Sequence, residues 1–262
     1  MSAVFATHEP SVAEFERFRL LLSTFQDGSG MLNLRGKSLP GWRDFERTTA
    51  AAFGGVAGEN KDVFDVVIAD PDRAGVSYGI SCKMRNTLDT TSRKGHLTVE
   101  LSNSSGKFWH RLKAGGFDEA NYREHPAEVG QALIELVRSW HEQESSSRRG
   151  RIDLERSCYL VLSWSERGSY QLQQLPLALP DPTTLTWAFL SPKRLVGQDA
   201  DKIVFEWYGS SGGQLKYYPA LTQAIWSSAV FSLEPLNIPD EERGIIAKAA
   251  TYFPRLWQAT LD

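Results

Sequence analysis

Cysteine is scarce in this sequence. Its 262 residues include two cysteines, Cys82 and Cys158, and both lie in apolar segments typical of strands. So few cysteines exclude a disulfide framework and argue against a cysteine-rich zinc site. Both thiols are therefore predicted to be reduced and buried. The N-terminus also lacks the basic and apolar segments of a secretory signal, so a cytoplasmic location is expected.

Long apolar runs and an excess of one charge are missing too. No apolar segment is long enough to cross a bilayer, so no membrane partner is expected. The 29 lysines and arginines nearly balance the 32 aspartates and glutamates, which gives a formal net charge of −3 at pH 7. Any surface that binds nucleic acid must therefore be a local basic patch.

Signatures of several enzyme classes are also absent. The sequence has no Gly-x-x-x-x-Gly-Lys-Ser/Thr loop and no Gly-x-Gly-x-x-Gly turn, so a nucleotide-dependent motor or a dehydrogenase is not predicted. The segment Ser163–Ser165 lacks the Gly-x-Ser-x-Gly context of a serine hydrolase. These absences leave other kinds of hydrolase and binding protein open.

The sequence does have the composition of a globular protein, with 41% hydrophobic and 23% charged residues. Helices are predicted over residues 11–25, 40–53, 126–140 and 241–252. Strands are predicted over residues 63–85 as a hairpin and over 97–101, 158–164, 169–175, 202–208 and 215–218, with a polar loop over 86–95. This order predicts an α/β fold with a central mixed β-sheet flanked by helices and a strand-rich C-terminal half. A single domain over residues 1–262 is expected.

Three polar residues are predicted to meet on one face of the 63–85 hairpin. Its turn is centred on Arg73, which places Asp65 opposite Ser81 because both lie eight residues from the centre. Side chains alternate along a strand, so Ser81 and Lys83 share a face while apolar residues occupy the other. An aspartate in an apolar strand is costly unless it has a partner. A carboxylate that holds Mg²⁺ beside a lysine is a minimal apparatus for phosphodiester hydrolysis.

These residues resemble the PD-(D/E)xK nuclease superfamily and, within it, the type II restriction endonucleases. The matching segments are Phe45–Glu46 on the preceding helix, Phe64–Ile68 for the first motif and Ser81–Lys83 for the second. The resemblance implies a restriction-endonuclease-like core, here about residues 40–165. It also implies Mg²⁺ as cofactor, double-stranded DNA as substrate and a homodimer that cuts symmetric sites. The strand-rich part, about residues 166–240, is then a candidate DNA-reading region.

Two positions depart from the superfamily pattern. Phe64 replaces the usual proline, which affects only the turn into the strand. Ser81 replaces the acid expected two residues before Lys83, so another carboxylate has to complete the metal site. Glu46 from the helix and Glu100 from the third strand are both candidates, and the choice between them stays open.

The resemblance assigns a role to each residue of the motif. Asp65, with the completing acid, would hold Mg²⁺ through carboxylate oxygens. Lys83 would orient or deprotonate the attacking water and offset charge in the transition state, while Ser81 would add only a neutral oxygen or hydrogen bond. Asp62 is an alternative to Asp65, but it belongs to the opposite face of the strand.

A group of basic residues follows the motif and suits phosphate contacts along a cleft. Its members are Arg85, Arg93, Lys94, Lys107 and Arg111. The combined prediction is a Mg²⁺-dependent, sequence-specific DNA endonuclease of type II. Three alternatives remain: a structure-selective repair nuclease with the same core, a catalytically inactive DNA-binding protein, and an unrelated α/β protein in which Asp65 and Lys83 form only a structural ion pair.

Overall fold

The computed structural model of the protein describes residues 8–58, 63–145, 151–209, 213–236 and 245–258. Its helices are α1 (Val12–Ser23), α2 (Trp42–Phe53), α3 (Leu88–Lys94), α4 (Ser105–Ala114), α5 (Pro126–Ser145), α6 (Ile245–Tyr252) and α7 (Pro254–Gln258). Its strands are β1 (Leu32–Leu34), β2 (Lys37–Leu39), β3 (Val56–Ala57), β4 (Val66–Ala69), β5 (Val76–Arg85), β6 (Val99–Ser102), β7 (Arg151–Ile152), β8 (Cys158–Trp164), β9 (Ser169–Pro176), β10 (Thr186–Ser191), β11 (Arg194–Asp199), β12 (Lys202–Tyr208), β13 (Gln214–Tyr217), β14 (Trp226–Ser227) and β15 (Phe231–Ser232). Asp62 and the start of the predicted 241–252 helix lie outside the described residues.

The largest sheet has eight strands, and its main path runs β14-β9-β8-β5-β4-β3. β4 and β5 form the predicted hairpin, with Val66 opposite Ile80. β8 lies parallel to β5, and β9 lies antiparallel to β8. The apolar run of β8 is buried along nearly its whole length because both faces of the sheet are covered. The sheet is therefore mixed, as predicted, and β5 lies in its interior.

Two N-terminal helices cover one face of this sheet. α1 begins at a capping box in which Ser11 and Glu14 each bond the other's backbone N–H. α2 begins after Gly41 and ends where Gly54 adopts a positive φ of 73°. The buried cluster between the helices and the sheet includes Phe18, Leu22, Phe45, Phe53, Val66, Ile80, Cys82 and Leu160. This packing fixes α2, and with it Glu46, against the hairpin.

The opposite face carries α5 and a second sheet of five strands. Its order is β10-β11-β12-β13-β6, and all of its pairs are antiparallel. The indole of Trp187 on β10 lies against Gly130 of α5 and Gly197 of β11, where an added Cβ would come within 2.3 and 2.8 Å of the ring. These close approaches require glycine at both positions and lock α5 against the second sheet.

The structure differs from the sequence predictions at two places that follow the hairpin. The predicted loop over residues 86–95 is wrong, since it contains α3, whose Leu88 and Thr91 are buried and which ends at Gly95 with φ +70°. The predicted strand over residues 97–101 is present as β6, but it pairs with β13 in the second sheet. In addition, strands β10 and β11 are absent from the sequence predictions. No helix among the described residues is long and apolar enough to span a membrane.

Candidate active site

Asp65 lies immediately before β4, at the end of the hairpin. Its backbone N–H donates to the carbonyl oxygen of Ile80 at 3.0 Å, and the β4–β5 register, extended by one residue, sets Asp65 opposite Ser81 as predicted. The preceding ring of Phe64 lies over Gly79, where an added Cβ would come within 2.4 Å of the ring. Gly79 thus allows Phe64 to pack against β5, which holds the adjacent Asp65 beside that strand.

The carboxylate of Asp65 receives three contacts from β5, and all of them meet at Oδ2. The backbone N–H of Cys82 donates at 2.7 Å and the hydroxyl of Ser81 at 3.4 Å. The ammonium of Lys83 lies 3.8 Å from the same oxygen. The structure therefore brings Asp65, Ser81 and Lys83 together. The side chains of Asp65 and Lys83 remain 24% and 21% exposed, so a ligand can reach both.

Glu46 approaches Asp65 from α2 and is itself buried. Burial and the neighbouring carboxylate of Asp65 raise the pKa of Glu46 to about 7, although nearby cations act in the opposite direction. Burial also raises the pKa of Asp65, despite the ammonium of Lys83 and the N–H of Cys82. The cations near these two carboxyl groups therefore do not fully offset the cost of ionising them in this buried position.

A cleft of about 360 Å³ opens in front of Asp65 and Lys83. Its walls come from β5, β6, α4 and the C-terminal half of α5. Residues that line it include Lys83, Glu100, Asn103, Lys107, His141 and Tyr159. Because most of these side chains are polar or charged, the cleft suits an ionic substrate better than an apolar one.

Glu100 lines this cleft but already has partners. Its Oε2 accepts from Nη2 of Arg85 and from the side-chain amide of Gln214. Arg85 is the last residue of β5, two positions after Lys83, whereas Glu100 belongs to the second sheet. The ion pair therefore joins the two sheets beside the cleft.

Two of the five predicted DNA contacts lie close to the site. Lys107 lines the cleft, and its ammonium is 5.2 Å from the ring centre of Trp140. Arg85 lies beside the cleft through its pair with Glu100. Of the two cations, only Lys107 lines the cleft itself.

The other three predicted DNA contacts do not line the cleft, and their contact with DNA stays a prediction. Arg111 on α4 lies 3.2 Å from Glu135 of α5. Lys94 borders a separate cavity of about 820 Å³ between α3 and the second sheet. Arg93 is exposed on α3. Arg93 and Lys94 lie on α3, which the sequence did not predict, and a helix turns successive side chains in different directions.

His141 and Tyr159 also line the cleft, and no sequence prediction singled them out. The ring of His141 stacks on Phe64 with centroids 5.8 Å apart. Burial, together with the ammonium of Lys83, lowers the pKa of His141 to about 4, so its imidazole is neutral near pH 7. A signal was present in the sequence, since the four-residue spacing from Val137 places His141 on the apolar face of α5.

The donor set at Asp65 fits a small, hard cation in part. Asp65 and Glu46 offer carboxylate oxygens, and their raised pKa values indicate that added positive charge would stabilise both anions. The third candidate acid, Glu100, is engaged by Arg85. Within the described ranges, no three His, Cys, Asp or Glu side chains are grouped as a metal site. Asp65 therefore acts electrostatically on Glu46, whereas Glu100 is bound by Arg85.

The arrangement itself limits the chemistry that the cleft can support. An ammonium beside a carboxylate, with a second carboxyl group whose pKa is near 7, can position water and balance added negative charge. No family model, curated protein or solved structure matches this chain.

Proposed function

We propose that the protein is a Mg²⁺-dependent endonuclease that hydrolyses phosphodiester bonds of double-stranded DNA at specific sequences, as type II restriction enzymes do. The observation that carries this proposal is the 3.8 Å approach of Lys83 Nζ to Asp65 Oδ2, beside the second carboxyl group of Glu46. The topology of the sheet also supports it. Asp65 and Lys83 lie on the antiparallel β4–β5 hairpin, and the chain then passes through α5 to β8, which pairs with β5 in parallel. A restriction-endonuclease-like core is the fold that the resemblance implies.

Each residue of the site would have one task. Asp65 and Glu46 would hold Mg²⁺, and the ion would supply Lewis-acid activation of the phosphate and of water. Lys83 would orient the attacking water and balance charge that develops on the phosphate oxygens. Ser81 and the backbone N–H of Cys82 fix Oδ2 of Asp65, so that the carboxylate keeps one orientation.

The cations in and beside the cleft support a substrate that carries phosphate groups. Lys107 and Arg85 would contact the DNA backbone on either side of the scissile phosphate. Sequence reading would fall to side chains of the strand-rich region, about residues 166–240. Cleavage at symmetric sites would need two copies of the chain, one for each DNA strand.

Cleavage of plasmid and phage DNA tests the proposal directly. The native protein and Lys83→Ala would be incubated with several DNAs in Mg²⁺ or in EDTA. We expect discrete fragments only with the native protein and Mg²⁺, and a rate for Lys83→Ala lower by at least about 100-fold, since a positioned proton-transfer group contributes that much. Lys113→Ala is the matched control, because Lys113 is an exposed lysine paired with Glu119 outside the cleft.

The pattern of products separates the proposal from its alternatives. Cleavage restricted to flaps, junctions or ends would favour a structure-selective nuclease. Salt-dependent DNA binding without cleavage would favour an inactive DNA-binding protein, for which Ser81 in the acid position is a specific argument. If the protein neither binds nor cleaves DNA, the contact between Asp65 and Lys83 is only a structural ion pair.

A further inference from the structure

Arg85 and Glu100 bind each other, although the sequence predicts DNA as the partner of Arg85 and Mg²⁺ as a partner of Glu100. The carboxylate of Glu100 accepts from Arg85 and Gln214 while it lines the same cleft as Asp65 and Lys83. We propose that Arg85 is a positioning residue that withholds Glu100 from the metal site until a DNA phosphate draws Arg85 away. Glu100 then completes the site. This inference rests on the proposed function.

The exchange of partners leaves no charge without compensation. Removing one member of a partly buried ion pair is costly because the other member stays desolvated and unpaired. In the proposed exchange, the guanidinium of Arg85 passes from a carboxylate to a phosphate, which it can bind with the same paired N–H groups. Glu100 passes from a guanidinium to Mg²⁺. The two side chains are 29% and 22% exposed, so both new partners can reach them.

The exchange couples the two ligands of the protein. A phosphate that takes Arg85 frees Glu100 for the metal, and a metal that takes Glu100 frees Arg85 for the phosphate. By linkage, DNA must then raise the affinity for Mg²⁺ by the same factor by which Mg²⁺ raises the affinity for DNA. Without Arg85, Glu100 keeps only its hydrogen bond from Gln214, so Mg²⁺ should bind more tightly in the absence of DNA.

Calorimetric titration with Mg²⁺ alone tests this inference without any measurement of cleavage. We expect Arg85→Ala to bind Mg²⁺ at least about fivefold more tightly than the native protein, which is the lower end of typical coupling between sites. Adding Glu100→Gln to Arg85→Ala should remove that gain. Arg85→Gln should behave as Arg85→Ala does, and it provides a second variant if the alanine protein folds poorly.

A matched control separates release of Glu100 from a simple loss of positive charge. Lys107→Ala removes another cation that lines the cleft but leaves the pair of Arg85 and Glu100 intact. If charge alone governed Mg²⁺ affinity, Lys107→Ala would gain as much as Arg85→Ala. We expect it to gain less than half as much.

Two results would overturn the inference: unchanged Mg²⁺ affinity in both Arg85 variants, or a gain that survives Glu100→Gln. DNA cleavage by the native protein distinguishes this failure from failure of the proposed function. A native protein that cuts DNA, with Arg85 variants of unaltered Mg²⁺ affinity, would refute only the withholding of Glu100. A native protein that neither binds nor cuts DNA would refute the proposed function, whatever the Arg85 variants do.

Discussion

Replacing Glu46 by glutamine tests the electrostatics of the proposed site without an assay of activity. Burial and the carboxylate of Asp65 raise the pKa of Glu46 from 4.5 to about 7. At about 1.4 kcal/mol for each pH unit, this shift corresponds to roughly 3 kcal/mol. Glutamine has nearly the shape of protonated glutamate and cannot ionise. We therefore expect Glu46→Gln to be more stable than the native protein by up to about 3 kcal/mol at pH 8, and by less than about 1 kcal/mol at pH 5.

The direction of the pH dependence follows from which state, folded or unfolded, binds the proton of Glu46 more tightly. The folded protein binds the proton of Glu46 more strongly than the unfolded chain does, so stability is lost as the pH rises from 4.5 through 7. His141 acts in the opposite direction, because its pKa is lowered to about 4 and stability falls as the pH drops below 6.5. Both proteins contain His141, so its contribution cancels in the difference between them.

Urea unfolding from pH 5 to pH 8 in EDTA would measure this difference. Glu142→Gln is the matched control, since Glu142 is exposed on α5, and it should show no pH-dependent gain. With Mg²⁺ at pH 8, the native protein should be stabilised more than Glu46→Gln, because only the native protein retains both carboxylates. A difference between native and Glu46→Gln that stays constant from pH 5 to pH 8 would refute the reasoning. So would a Glu46→Gln protein that is less stable at pH 8, since Glu46 would then be ionised and well paired in the folded state.

Two further predictions concern the structure that positions the site. Gly79→Ala should lower the free energy of unfolding by about 1–3 kcal/mol, because its Cβ would lie 2.4 Å from the ring of Phe64. Gly106→Ala, which has open space around the new Cβ, should not destabilise the protein in the same urea assay, and equal losses would contradict the packing argument. Asp44→Ala should cost about 2 kcal/mol, because Oδ2 of Asp44 accepts from two backbone N–H groups at 2.8 Å near the start of α2. Asp44→Asn retains an acceptor oxygen and should lose less on thermal unfolding, whereas equal losses would count against this role.

The hairpin could be predicted from the sequence because every signal in it is local. The turn around Arg73 and the alternation of β5 fix which residue faces which, and the register places Asp65 beside Ser81 as expected. The same holds for α1, whose capping box lies within four residues. In each case the physical cause lies within a few residues of the element that it determines.

The partners of Glu100 could not be predicted, because they depend on pairing between distant segments. Gln214 lies 114 positions after Glu100 in the chain, and it reaches Glu100 only because β6 joins β13 in the second sheet. The period of residues 97–101 indicates a strand, but a strand pattern alone does not say which sheet accepts it. The prediction for residues 86–95, which form α3, failed for a related reason. This short polar segment is held by burial of Leu88 and Thr91, which the sequence pattern does not reveal.

The charges at the site are arranged so that the free site is balanced and the proposed substrate would change that balance. When Glu46 is protonated, below its pKa of about 7, the anion of Asp65 is balanced by Lys83 and Glu100 is balanced by Arg85. A phosphodiester adds one negative charge, which the site cannot take up without further positive charge. Under the proposed function, a divalent cation would supply more positive charge than the phosphate requires, and ionisation of Glu46 would use the surplus. Binding of metal and phosphate together, with loss of one proton from Glu46, would therefore leave the net charge of the site unchanged, whereas binding of either alone would change it.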